Sequence, residues 1–169
     1  MSARVNFSKL TLMDALDLAS LIEAEAFQRY TLFAAQLGYR DPNDAASVFR
    51  SMAANEKKHG DQLAKRRQTL FGDTPANVKF DDLFDVEAPD VGSPRWNMSP
   101  RHAFEVALAA EKKAFAFYDE ALPSVKQRDV KALFEELRDE EVEHIRMVEA
   151  IIAKLPPAAS TVLEDQDAD

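Results

Sequence analysis

The chain contains no cysteine. That absence excludes disulfides, thiolate nucleophiles, iron–sulfur clusters and every cysteine-ligated zinc or iron site, so any metal must bind through oxygen and imidazole. Glycine is scarce, with 4 residues, which suits long helices. Positive charge is also short: 21 Lys and Arg stand against 30 Asp and Glu, a net charge of −9. Without a basic face to displace counterions from phosphates, no nucleic-acid partner is expected, whereas a metal cation is easily accommodated. No stretch approaches the ~18 apolar residues of a membrane span. Met1 to Leu12 lacks the apolar core of a signal peptide, so the expectation is a cytoplasmic protein with no membrane partner.

What is present is a composition of 46% hydrophobic and 30% charged residues over 169 positions, enough for one domain with a continuous core. Four segments carry apolar residues at alternating steps of three and four, the pattern of helices packed side by side. The first runs Leu12, Leu16, Ala19, Glu23, Ala26, Tyr30, Phe33, Leu37, with Thr11 as N-cap, Asp14 three residues on and Gly38 as its stop. The second is expected to begin at Asp41-Pro42 and reach about Leu70 through Ala45, Phe49, Met52, Glu56, His59 and Leu63. Ser99-Pro100 announces the third, with Phe104, Leu108, Glu111, Phe115, Tyr118 and Leu122 ahead of Pro123. The fourth carries Val130, Phe134, Leu137, Glu141, His144, Val148, Ile151 and Leu155 and ends against Pro156-Pro157.

Residues 72–98 show no helical period and form a long connection, whereas the links within each half are short. The prediction is therefore an all-α four-helix bundle over residues 1–155, made of two antiparallel helix hairpins joined by a long crossover connection. Residues 156–169 read as an acidic, disordered tail. Trp96, Phe80 and Phe84 either pack the connection onto the bundle or form a contact in a homodimer.

Every stripe is interrupted by charge. Desolvating a charged side chain costs several kcal/mol or more unless it is paired or binds metal, so acids on an inward face need a reason. Glu23 and Glu111 interrupt the first and third stripes, and Glu56 with His59 and Glu141 with His144 interrupt the second and fourth. Glu25 and Glu143 lie two positions away, about 200° round the helix, and should face elsewhere. Glu-x-x-His projects a carboxylate and an imidazole from one face. One Glu from each of two helices plus Glu-x-x-His from each of the others is the arrangement that holds two metal ions in di-iron carboxylate bundles. The halves repeat one another: Glu23 precedes Tyr30 by seven and Glu56 by 33, and Glu111 precedes Tyr118 by seven and Glu141 by 30. Four carboxylates and two neutral imidazoles carry a charge that two divalent cations neutralise. The metal ligands and catalytic residues predicted are therefore Glu23, Glu56, His59, Glu111, Glu141 and His144, with Glu56 and Glu141 bridging and Glu23 and Glu111 terminal. Tyr30 and Tyr118 are either hydrogen-bond donors behind these ligands or aromatics of the core. His102, with no Glu three residues before it, reads as a surface or capping residue.

With Arg29-Tyr30-Thr31 and Asn55-Glu56-Lys57-Lys58-His59, these motifs resemble the ferritin-like domain of the rubrerythrin family over roughly residues 10–155. The resemblance implies a ferritin-like fold and a centre of two Fe ions that oxidises Fe(II) or reduces dioxygen or hydrogen peroxide, in oxidative-stress defence or iron homeostasis. The chain departs from the family's pattern in two places. It lacks the four cysteines of an attached rubredoxin domain, so turnover implies a separate electron donor. It also has Ala114 where the family supplies a further Glu. The competing readings are an iron binding, storage or delivery protein without significant turnover, and a structural bundle holding zinc or manganese, since these donors do not select iron by themselves.

Overall fold

The computed structural model describes residues 5–38, 45–78 and 99–157. Four long helices make up the described chain: α1 Leu12–Gly38, α2 Ala45–Phe71, α3 Pro100–Ala121 and α4 Arg128–Lys154. Short 3-10 turns at Phe7–Lys9 and Leu122–Ser124 precede α1 and follow α3, and no strand occurs among the described residues.

The predicted helix signals operate as local physics requires. At α1, Thr11 Oγ1 accepts from the Asp14 amide at 3.2 Å while Asp14 accepts from the Thr11 amide at 3.2 Å, so each side chain satisfies the other residue's otherwise orphaned amide. Ser99 caps α3 by accepting from the His102 amide, and Pro100 sits in the first turn, where no N–H is needed. Gly72 ends α2 at φ +56, a conformation that L side chains rarely adopt. The expected start of α2 at Asp41-Pro42 lies outside the described residues. So do Phe80, Phe84 and Trp96, most of the connection and nearly all of the acidic tail.

Packing partners run in opposite directions along each hairpin. Gly38 lies near Ala46, Phe33 against Phe49, and Arg67 pairs with Asp17 at 2.8 Å, which makes α1 and α2 antiparallel. In the second hairpin Arg101 donates to the carbonyls of Ile152 and Leu155 at one end, and Arg138 pairs with Asp119 towards the other. The core divides into two apolar clusters. One gathers Leu16, Leu18, Ile22, Tyr118, Leu133 and Phe134; the other gathers Tyr30, Phe33, Phe49, Met52, Phe104 and Val148. Phe49 bridges the hairpins within the second cluster, stacked on Phe104 with ring centroids 4.4 Å apart.

Phe71 packs on the first cluster and Phe104, near the start of α3, belongs to the second, so α2 ends and α3 begins at opposite ends of the bundle. A helix of this length spans about 40 Å, and the connection has to cover that distance, which explains its length. The fold is the all-α bundle of two antiparallel hairpins with a long crossover.

The interior of α3 corrects the predicted stripe. Leu108 and Phe115 are half-buried, while Ala107, Ala110, Ala114, Phe117 and Ala121 are buried beside Phe104, Glu111 and Tyr118. Small residues bring α3 close to its neighbours, and the larger Leu and Phe side chains cover the flanks.

Candidate metal centre

Between the two apolar clusters, where each helix is roughly half-way along its length, the bundle interior becomes acidic. Glu23, Glu56, Glu111 and Glu141 are all at most 5% exposed, and His144 is 9% exposed. Each sits one or two turns from large apolar residues of its own helix, so the stripe that builds the core also delivers the carboxylate. All six residues predicted as ligands converge here, with His59 at the rim, 20% exposed.

The contacts cross between helices. His144 Nδ1 lies 3.3 Å from Glu111 Oε2, 3.5 Å from Glu56 Oε1 and 3.8 Å from Glu141 Oε2. His59 Nδ1 lies 4.0 Å from Glu23 Oε2. The two imidazole rings are parallel to within 5°, their centroids 5.7 Å apart. Three sets of donor atoms fall within 4.8 Å of one another: Glu56, His59 and His144; Glu111, Glu141 and His144; and Glu23, His59 and Glu140. The second is the half-site read from the sequence. The first half-site is drawn differently, because Glu56 reaches across to His144 while His59 turns towards Glu23 and Glu140.

The electrostatics follow from burying so many acids together. Burial raises the Glu23 carboxyl to about 11, assisted by its hydrogen bond with Glu56 and by the charges of Glu56, Glu140 and Glu111. Burial also raises Glu141 well above the usual carboxylate range, with the charge of Glu111 and a hydrogen bond to it adding to the effect. For His144, burial opposes the charged form, but the hydrogen bond to Glu111 and the nearby carboxylates outweigh it and lift the ring to about 9. The imidazolium and the retained protons thus offset the negative charge of the cluster.

The donors fit bound metal on an independent ground. Among the described residues, Glu23 Oε2, Glu141 Oε2 and His59 Nδ1 are buried atoms with no hydrogen-bond partner. Leaving such an atom unsatisfied costs about 1–3 kcal/mol, more for a charged group, and cations bound in the donor sets that contain these residues would satisfy them. Oxygen and imidazole donors of this kind suit iron, manganese or zinc.

A protein-family model described as a ferritin-like domain matches residues 14–158. This chain belongs to the ferritin-like family. A solved structure of an uncharacterised conserved protein from Magnetospirillum magnetotacticum is similar to it, with a TM-score of 0.75 and 30% identity over 90% of this chain and 100% of that one. No curated protein matches the chain.

Within this ferritin-like bundle the remaining predicted residues separate. The Tyr30 hydroxyl donates to Glu111 Oε1, which places it directly behind the acidic cluster. Tyr118 is fully buried and packs edge-on against Phe117 and Phe134. His102 is exposed at the start of α3. Glu143 faces solvent beside Arg146, and Glu25 turns away to pair with Arg29 at 2.8 Å. Two participants escaped the sequence reading. Arg29, buried at 8% exposure, lines the cavity shared by Glu23, Glu56, Glu111 and Glu141; its signal was its place three residues after Ala26. Glu140 was detectable as the residue three after Leu137 and four before His144, on the edge of the same face. No described helix is long and apolar enough to cross a membrane.

Proposed function

We propose that this ferritin-like protein is a rubrerythrin-like, non-haem di-iron oxidoreductase whose centre is held by Glu23, Glu56, His59, Glu111, Glu141 and His144. The observation that carries the reading is the convergence of these six side chains at mid-bundle with three of their donor atoms buried and unpartnered. When bound, two iron ions supply two electrons for reducing dioxygen or hydrogen peroxide.

The chain's own residues set the conditions. Glu23, Glu56, Glu111 and Glu141 would hold the ions and supply the charge that two divalent cations neutralise. His59 and His144 present Nδ1 to the acids. Tyr30 holds Glu111 in place, and the apolar clusters on either side keep bulk water from the centre. Protons held by Glu23, Glu141 and His144 leave as cations bind, so loading releases acid.

Ala114 tilts the reading towards oxidation of Fe(II). Its methyl group lines the cavity at the place where rubrerythrins carry a further carboxylate, and alanine cannot exchange with a histidine ligand. His59 is therefore expected to stay on the metal in both oxidation states. Repeated peroxide turnover is expected to need a separate electron donor. Stopped-flow mixing of anaerobically Fe(II)-loaded protein with dioxygen or peroxide tests this: fast oxidation in a single turnover is expected with each. Rapid repeated peroxide reduction with a generic donor would overturn the tilt towards Fe(II) oxidation in favour of a peroxidase. A 24-subunit cage on size-exclusion chromatography would shift the role to iron storage, whereas a homodimer suits the oxidoreductase.

A further inference from the structure

Glu140 has no role in the six-residue centre, yet it approaches it from outside. Its Oε2 lies 3.8 Å from His59 Nδ1, and the same nitrogen lies 4.0 Å from Glu23 Oε2. Glu140 is 36% exposed, His59 20% and Glu23 4%, so the three side chains step inward from solvent. The Glu23 oxygen at the inner end is buried with no hydrogen-bond partner, as is the His59 nitrogen. We propose that Glu140, His59 and Glu23 form a capture site that takes a divalent transition-metal cation from solvent and passes it to the buried centre. The inference rests on the reading of that centre as a metal site.

The sharing of residues makes the transfer chemically economical. His59 belongs both to the outer set with Glu23 and Glu140 and to an inner set with Glu56 and His144. A cation held by the outer set moves inward by keeping His59 while the carboxylates of Glu140 and Glu23 give way to Glu56 and His144. It keeps the His59 imidazole throughout, so it is never released to solvent between the two sets. Two oxygens and one imidazole nitrogen are adequate for first capture of a borderline cation, but leave positions for water, as a site of passage requires. An acidic residue at the rim also concentrates cations locally and raises their rate of arrival.

The test separates rate from final occupancy. Metal-free wild type, Glu140→Gln and Glu143→Gln are mixed with Co(II), whose visible absorption reports binding, and the bound metal is counted at equilibrium. Glu143 is a matched control: it is on the same helix, 69% exposed, and its loss removes the same charge. Glu140→Gln is expected to load three- to tenfold more slowly than wild type and to reach the same two ions per chain, with Glu143→Gln indistinguishable from wild type. Equal loading rates in Glu140→Gln and wild type would overturn the inference and leave the buried centre standing. A fall in the final count would also overturn it, because Glu140 would then be a permanent ligand. Failure of wild type to bind Co(II) at all would instead refute the metal centre itself.

Discussion

Metal-loaded protein is expected to melt on the order of 20 °C above the metal-free form at pH 8, and the gap is expected to close as the pH falls towards 5. A ligand present at about 1,000 times its dissociation constant stabilises by ~4 kcal/mol, and two such ions together shift a domain of this size by roughly that interval. The pH dependence follows from the protonation of the cluster. Glu23 is raised from 4.5 to about 11, Glu141 is raised well above 4.5, and His144 is raised from 6.5 to about 9. Each group binds its proton more tightly in the folded chain than in the unfolded one. Their contribution to metal-free stability is therefore complete below the unfolded values and is lost as pH rises through the folded ones, with the His144 part lost between 6.5 and 9. Metal reverses the sign, because it binds the deprotonated ligands and competes with protons as the solution is acidified. Calorimetric scans of both forms from pH 5 to 8 would show metal-free stability falling and metal-dependent stabilisation growing. Coincident melting of the two forms at every pH would mean that the cluster holds no metal.

The second large effect is expected from Glu141→Gln. The substitution keeps the shape of the side chain but removes its charge and one metal-binding oxygen. Replacing a residue that merely orients a ligand costs 10–100-fold in metal affinity, so loss of a bridging ligand should cost on the order of 100-fold or more and lower occupancy at both positions. The metal-free variant should nevertheless be at least as stable as metal-free wild type at pH 8. It no longer carries a carboxylate that is buried against Glu111 with an unpartnered oxygen. That opposition, weaker metal binding with an undiminished apo fold, distinguishes a ligand from a structural core residue. The control is Glu143→Gln, which changes an exposed acid paired with Arg146 and should leave two ions bound. Glu25 is a poorer control than its sequence position suggests, since it partners the buried Arg29 guanidinium, and removing it would strand that charge. Full metal occupancy in Glu141→Gln, with loss in Glu143→Gln, would place the site on another face of α4.

The fold and the gathering of the buried acids were legible in the sequence because the apolar stripes and the charged residues that interrupt them share one periodicity. The apolar stripes define an inward face for each helix, and Glu23, Glu56, Glu111 and Glu141 fall within those faces, so one pattern locates both core and site. Capping chemistry is equally local, and the Thr11–Asp14 reciprocal cap and the Ser99-Pro100 start of α3 form as read. What periodicity alone did not reveal depends on approach between helices. The alanines inside α3 gained burial from how closely that helix packs, which no property of α3 by itself prescribes. Glu140 and Arg29 acquire their roles from His59 on another helix and from the shared cavity. The pairing of Glu56 with His144, rather than strict separation into two half-sites, reflects the attraction of a buried imidazolium for whichever carboxylates surround it.

Anomalous diffraction at the iron edge would show whether two metal ions sit among these six side chains. Crystals of the protein loaded anaerobically with Fe(II) should give two anomalous peaks per chain, midway along the bundle between the apolar clusters. Both peaks should lie within bonding distance of oxygens from Glu56 and Glu141, one beside His59 Nδ1 and the other beside His144 Nδ1. A single peak, peaks on the bundle surface, or loaded protein with no ordered iron among Glu23, Glu56, His59, Glu111, Glu141 and His144 would contradict the account.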